Sequence, residues 1–125
     1  MMSSKIRVLI ADDHRLFAEA LNAILAAEPG IEVVGRARNG EEAVDQALAL
    51  KPDVILMDIA MPVVDGVEAT KRIRKKQRGA RVLMLTGSNS RTDVARARDA
   101  GAAAYVTKDR IAAQLIEAIR ELAAN

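Results

Sequence analysis

Apolar stretches of strand length alternate along this chain with segments of helical period, five times over. The first strand is predicted at Ile6–Ala11. A helix follows, whose inward face is read as Leu16, Phe17, Ala20, Leu21, Ile24 and Leu25. Pro29-Gly30 ends that helix, and Ile31–Ala37 reads as the second strand. Asn39, with Glu42 three residues on, signals the start of a second helix carrying Ala43, Val44, Ala47 and Leu48. Lys51-Pro52 breaks it before a third strand at 53–58, and Asp65 with Glu68 starts a third helix that runs to about Arg78. The fourth strand falls at 81–85. Ser90 with Asp93 opens a fourth helix ending near Gly101, and 103–106 forms a short fifth strand. Asp109 is placed to cap a last helix with the apolar face Ile111, Leu115, Ile116, Ile119 and Leu122.

Strict alternation of strands and helices predicts a parallel sheet covered by helices on both faces. The runs Val8-Leu9-Ile10 and Val54-Ile55-Leu56-Met57 have no polar alternation, as expected of strands buried on both sides. Five such units in 125 residues point to an α/β fold, a flavodoxin-like (βα)5 doubly wound sheet of order 2-1-3-4-5. One domain, 1–125, is the expectation, since the length suits one ordinary domain and no linker, repeat or low-complexity tract interrupts it.

Composition narrows the chemistry. Aromatic residues make up only 2%, which argues against a base-stacking surface, and a net charge of +2 does not by itself predict nucleic-acid binding. There is no cysteine, so disulfides, thiolate metal sites and cysteine nucleophiles are excluded. The apolar run at 8–11 is too short for a signal-peptide core or a membrane span, which makes a soluble cytoplasmic protein the expectation, without membrane contact.

In a doubly wound sheet, ligands gather at the carboxyl ends of the strands near the switch point, here between strands one and three. Strand one ends in Asp12-Asp13, strand three in Asp58, strand four in Thr86, and Thr107 and Lys108 follow strand five. Singly, each has an ordinary reading: Asp12 and Asp13 as helix caps, Asp58 as a turn residue, Thr86 as a surface hydroxyl, Lys108 as a solvated charge. Jointly, they fit one reaction. Three carboxylates brought together call for a hard divalent cation, of which Mg²⁺ suits a few carboxylates and several waters. A carboxylate can also attack phosphorus to form an acyl phosphate, which places Asp58 as the nucleophile. The Lys108 ammonium and the Thr86 hydroxyl suit phosphoryl oxygens.

These residues carry a resemblance that covers essentially the whole chain. The stretches ending Ala11-Asp12-Asp13-His14, the run Leu56-Met57-Asp58-Ile59-Ala60-Met61-Pro62, the pair Leu85-Thr86 and the segment Tyr105-Val106-Thr107-Lys108-Asp109 resemble a bacterial response-regulator receiver domain. The Ala-Asp-Asp-His start and Thr-Lys-Asp ending are similar to the LuxR-type branch, whose members usually carry a C-terminal helix-turn-helix. The resemblance implies a two-component signalling switch, not an enzyme acting on other molecules, in which a sensor histidine kinase phosphorylates Asp58. It further implies that Asp13 and Asp58 ligate Mg²⁺ directly, Asp12 through water, and Ala60 through its backbone carbonyl. Thr86 and Lys108 would hold the phosphoryl oxygens, and Tyr105 matches the aromatic switch position. A homodimer is compatible with the family, and DNA would be reached only through an output domain beyond this chain. Asp109 departs from the pattern, because many relatives have Pro there after a cis bond, which costs more before Asp. Ala60 and Ser88 stand where side chains tune phosphoryl lifetime in the family.

Two other functions compete. A Mg²⁺-dependent phosphatase or phosphotransferase acting on a small substrate would need a positioned acid, and Ala60 stands two residues after Asp58. A degenerate receiver serving only as a scaffold is disfavoured by the intact set of Asp12, Asp13, Asp58, Thr86 and Lys108. His14, the only histidine, reads as a helix-start surface residue. The basic run at 71–78 reads as a solvated helix face with cations near the C-terminus.

Overall fold

Five parallel strands stand side by side in the order β2-β1-β3-β4-β5. They are β1 (Ile6–Ala11), β2 (Ile31–Ala37), β3 (Val54–Asp58), β4 (Val82–Thr86) and β5 (Ala104–Thr107). The structure, a computed structural model, describes residues 5–87 and 91–124. Five helices connect and follow the strands: α1 (Arg15–Ala26), α2 (Gly40–Leu50), α3 (Gly66–Lys76), α4 (Arg91–Asp99) and α5 (Ile111–Ala124). The α/β flavodoxin-like expectation and its 2-1-3-4-5 order hold. The chain reverses direction of growth at β1 and β3, so their carboxyl ends flank a crevice.

Side-chain alternation along the strands sorts the core into two layers. Leu9, Ala11, Ile55, Met57 and Met84 pack with Ala43, Ala47, Ala69, Ile73 and Ala97, so α2, α3 and α4 cover one face. Val8, Ile10, Leu56, Leu83 and Leu85 pack with Ala18, Leu21, Leu25, Leu115 and Ile119, so α1 and α5 cover the other. All five residues of β3 are buried, as its unbroken apolar run predicts.

Two predicted helix starts carry the expected side-chain cap. The Asn39 side chain accepts from the Glu42 amide at 2.9 Å, and the Asp65 side chain accepts from the Glu68 amide at 2.8 Å. Other expectations need correction. Leu16 is 80% exposed and Ala20 is also exposed, while Ala18 supplies the buried position, so the inward stripe of α1 is rotated from the predicted one. Asp109 does not cap α5: it lies inside a one-turn 3₁₀ helix, Lys108–Arg110, that leads straight into that helix. No cis peptide bond occurs among the described residues, and the Lys108–Asp109 bond is trans. The predicted Ser90 cap and the Ser88 side chain lie outside the described residues. No described helix is long and apolar enough to cross a membrane.

Candidate functional site

The carboxyl ends of β1 and β3 deliver two buried acids to one place. Asp12 follows Ala11 at the end of β1 and is 0% exposed, and Asp58 closes β3 at 2%. Both continue the strand parity of Ile10 and Leu56, so both project on the α1 and α5 side of the sheet. Asp13 sits at the rim, its side chain 30% exposed. Lys108, in the turn after β5, sets its ammonium 3.5 Å from an Asp12 oxygen and 3.5 Å from an Asp58 oxygen. This cation pairs with two of the three carboxylates gathered here, and the centre keeps an excess of negative charge.

Two residues complete this arrangement that sequence reasoning did not place in it. Phe17, half-buried on α1, lays its ring under Lys108, with the ammonium 4.4 Å from the ring centroid. The contact confines a flexible side chain to the site. His14 sits at the N-cap of α1, its side chain 64% exposed, as a helix-start surface residue should be. Its Nδ1, however, lies 3.3 Å from Asp12, 3.3 Å from Asp13 and 3.7 Å from Asp58. The only local signal for either was proximity of His14 to the Asp pair; the Phe17 contact joins α1 to the far end of the sheet.

Burial and the neighbouring Asp12 carboxylate push the Asp58 carboxyl up to about 6 from an ordinary 3.8. Lys108 and the Ala60 amide, which donates to Asp58 at 3.5 Å, oppose the rise. One oxygen each of Asp12 and Asp58 is buried without a hydrogen-bond partner among the described residues; the Asp12 oxygen is the one that Lys108 faces at 3.5 Å, whereas the Asp58 oxygen points away from Lys108. Such a buried acceptor is costly unless something positive meets it. Ligand atoms from Asp12, Asp13, His14 and Asp58 lie within 4.8 Å of one another. This donor set, rich in carboxylate oxygen, fits a hard divalent cation.

The remaining predicted residues flank the acids. Asp58 is paired in register with Leu85, and Thr86, fully buried, stands one residue beyond it at the end of β4. Thr86 is in turn paired with Thr107, and Met84 with Tyr105, so Thr86 and Tyr105 share one face of adjacent strands. Tyr105 is 44% exposed. Ala60 is exposed and, with Asp13, Met61 and Pro62, lines a cleft opening beside the acids.

Comparison with known proteins agrees with this geometry. Residues 8–120 match the response regulator receiver domain. The transcriptional regulatory protein LiaR of Bacillus subtilis is 44% identical over 115 residues, covering 92% of this chain and 54% of LiaR. The crystal structure of a LuxR-family two-component response regulator from Aurantimonas superimposes with a TM-score of 0.92 at 34% identity, covering 97% of this chain and 86% of that one. The Borrelia burgdorferi CheX–CheY–BeF3–Mg²⁺ complex contains a chain matching at a TM-score of 0.88 and 26% identity, covering 95% of this chain and 90% of that one. This chain spans about half the length of the curated relatives it matches. It belongs to the response-regulator receiver family, in the LuxR-type branch.

Proposed function

We propose that residues 1–125 form a single receiver unit in which Asp58 accepts a phosphoryl group from a sensor histidine kinase. The observation that carries this reading is the buried Asp58 carboxylate held 3.5 Å from the Lys108 ammonium beside a second buried acid. Asp13, Asp58 and the Ala60 carbonyl would hold Mg²⁺ directly and Asp12 through water. When bound, that ion neutralises charge on the transferring group. An Asp58 oxygen attacks phosphorus, forming the acyl phosphate bond while the bond from phosphorus to the donor nitrogen breaks with its electron pair. Lys108 and Thr86 then receive the phosphoryl oxygens as cation and hydroxyl donor.

The chain acts on no other substrate: it promotes only its own phosphorylation and hydrolysis, in the cytoplasm. Phosphorylation alters the surface of α4, β5 and α5. Support comes from the shared face of Thr86 and Tyr105, which lets an inward move of the hydroxyl open space for the ring. That surface would control a DNA-binding output domain, as the regulatory name of LiaR suggests, and a homodimer is compatible with the family. Incubation with acetyl phosphate and Mg²⁺ should add one phosphoryl group by intact mass. Asp58→Asn should gain none, and unchanged uptake by that variant would remove Asp58 from the role.

A further inference from the structure

We propose that His14 is a ligand of the acidic centre, giving it a nitrogen donor that favours first-row transition ions such as Mn²⁺ and Co²⁺ over Mg²⁺. The inference rests on the reading of that centre as a metal site. Its own basis is the placement of one ring nitrogen. Nδ1 of His14 stands 3.3 Å, 3.3 Å and 3.7 Å from oxygens of Asp12, Asp13 and Asp58. An octahedral ion with bonds of about 2.1 Å separates adjacent donors by about 3.0 Å and opposite donors by about 4.2 Å. The 3.3 Å from Nδ1 to Asp13 is close to the adjacent separation and the 3.7 Å to Asp58 lies between the two, while the 3.3 Å to Asp12, which would meet the ion through water, is a hydrogen-bond distance. The Asp58 oxygen facing the ring is buried and has no hydrogen-bond partner among the described residues, so an acceptor is aimed into the same space from the protein side.

Backbone geometry fixes the ring there. The His14 amide donates to Asp12 Oδ1 at 2.7 Å, which ties the backbone of one residue to the side chain of the other. His14 is extended at the N-cap, with φ −86° and ψ 100°, and its side chain makes no capping bond to α1. The ring is therefore left to the carboxylates. At 64% exposure Nε2 is open to solvent, and Nδ1, which makes a 3.3 Å hydrogen-bond contact with Asp12 Oδ1, is the nitrogen turned to the carboxylates and the one that would meet a cation. Imidazole adds little for Mg²⁺, which prefers oxygen, and more for ions later in the first row. The strand ends that make a phosphoryl site thus also carry a means of choosing its metal.

The test titrates the parent protein and His14→Ala separately with Co²⁺ alone and with Mg²⁺ alone by calorimetry. Electron spin-echo spectra of both proteins are then recorded with Mn²⁺ bound. A direct ligand should be worth at least the roughly tenfold in affinity that outer-shell partners carry, so Co²⁺ binding falls by that much or more and Mg²⁺ binding far less. Nitrogen coupling to Mn²⁺ should appear in the parent and vanish in the variant. Equal Co²⁺ affinities, an equal loss for both ions, or a parent spectrum without nitrogen coupling would each overturn the assignment. If the parent binds none of these ions, the metal centre itself fails, and His14 with it. The exposed position keeps His14→Ala folded in the parent's core.

Discussion

Asp58 is held in a place where its charge is unwelcome until something arrives to meet it. Burial and Asp12 raise its pKa to about 6, against 3.8 for the free side chain. Between about pH 4 and pH 6 the folded protein therefore binds more protons than the unfolded chain. The stabilisation from keeping Asp58 neutral is complete below the unfolded value and is lost as pH rises through 6. At neutral pH the ionised group is a net cost to the metal-free protein. Urea denaturation without divalent ions should show stability declining across that window, and Asp58→Asn should remove the decline; an unchanged slope in the variant would assign it to other groups. A divalent ion requires the ionised carboxylate, so Mg²⁺ affinity should weaken as pH falls below about 6, which metal titrations at pH 5 and pH 7.5 would read.

Whether these side chains meet depends on how closely α3 approaches the end of β3. Gly66 opens α3, its amide donates to the Ile59 carbonyl at 3.0 Å, and a Cβ there would overlap the Asp58 carbonyl oxygen. That obstacle is backbone, which cannot swing aside. Gly66→Ala should cost about 1–3 kcal/mol in denaturant melts and slow phosphoryl uptake by shifting Asp58. A variant with parent stability and parent rate would show the contact to be slack. The strand-end acids were legible in the sequence because each follows an apolar run that fixes a strand, and β–α alternation brings those ends to one side. The Asn39 and Asp65 caps were legible because capping is local. The rotation of α1 was not: Leu16 and Ala20 fit a helical stripe, but the packing of α1 against β1 and β2 selects Ala18 instead. Nor was the Phe17 contact with Lys108, which exists only once β5 and α1 lie against the same face. His14 was visible beside the Asp pair, yet its direction toward them depends on the Asp12 side chain turning back to the His14 amide.

In the assembled domain, the two edges of the sheet are unequally tied to the site. Thr86 ends β4 and Lys108 directly follows β5, whereas β2 reaches the acids only through β1. α4 buries a single helical residue, Ala97, so among the five α-helices it has least apolar surface to lose if its neighbourhood rearranges. Addition of a group carrying about −1.5 to −2 charges at Asp58 should draw on that edge first. Amide hydrogen exchange compared with and without acetyl phosphate and Mg²⁺ should change at 103–109 and remain constant at 31–37. The equilibrium moves only by the difference in phosphoryl contacts between the two states, so a change confined to 31–37 would contradict coupling through Thr86 and Lys108.

The most direct measurement identifies the phosphorylated atom's residue chemically. An acyl phosphate, unlike a phosphate ester, is reduced by borohydride to an alcohol, which turns an aspartyl phosphate into homoserine. After phosphorylation in Mg²⁺, reduction and peptide sequencing by mass spectrometry, homoserine should replace aspartate at position 58 and at neither 12 nor 13. Homoserine at Asp12 or Asp13, or a phosphoryl group that resists reduction and maps to His14 or to a serine or threonine, would contradict the assignment of Asp58 as the acceptor.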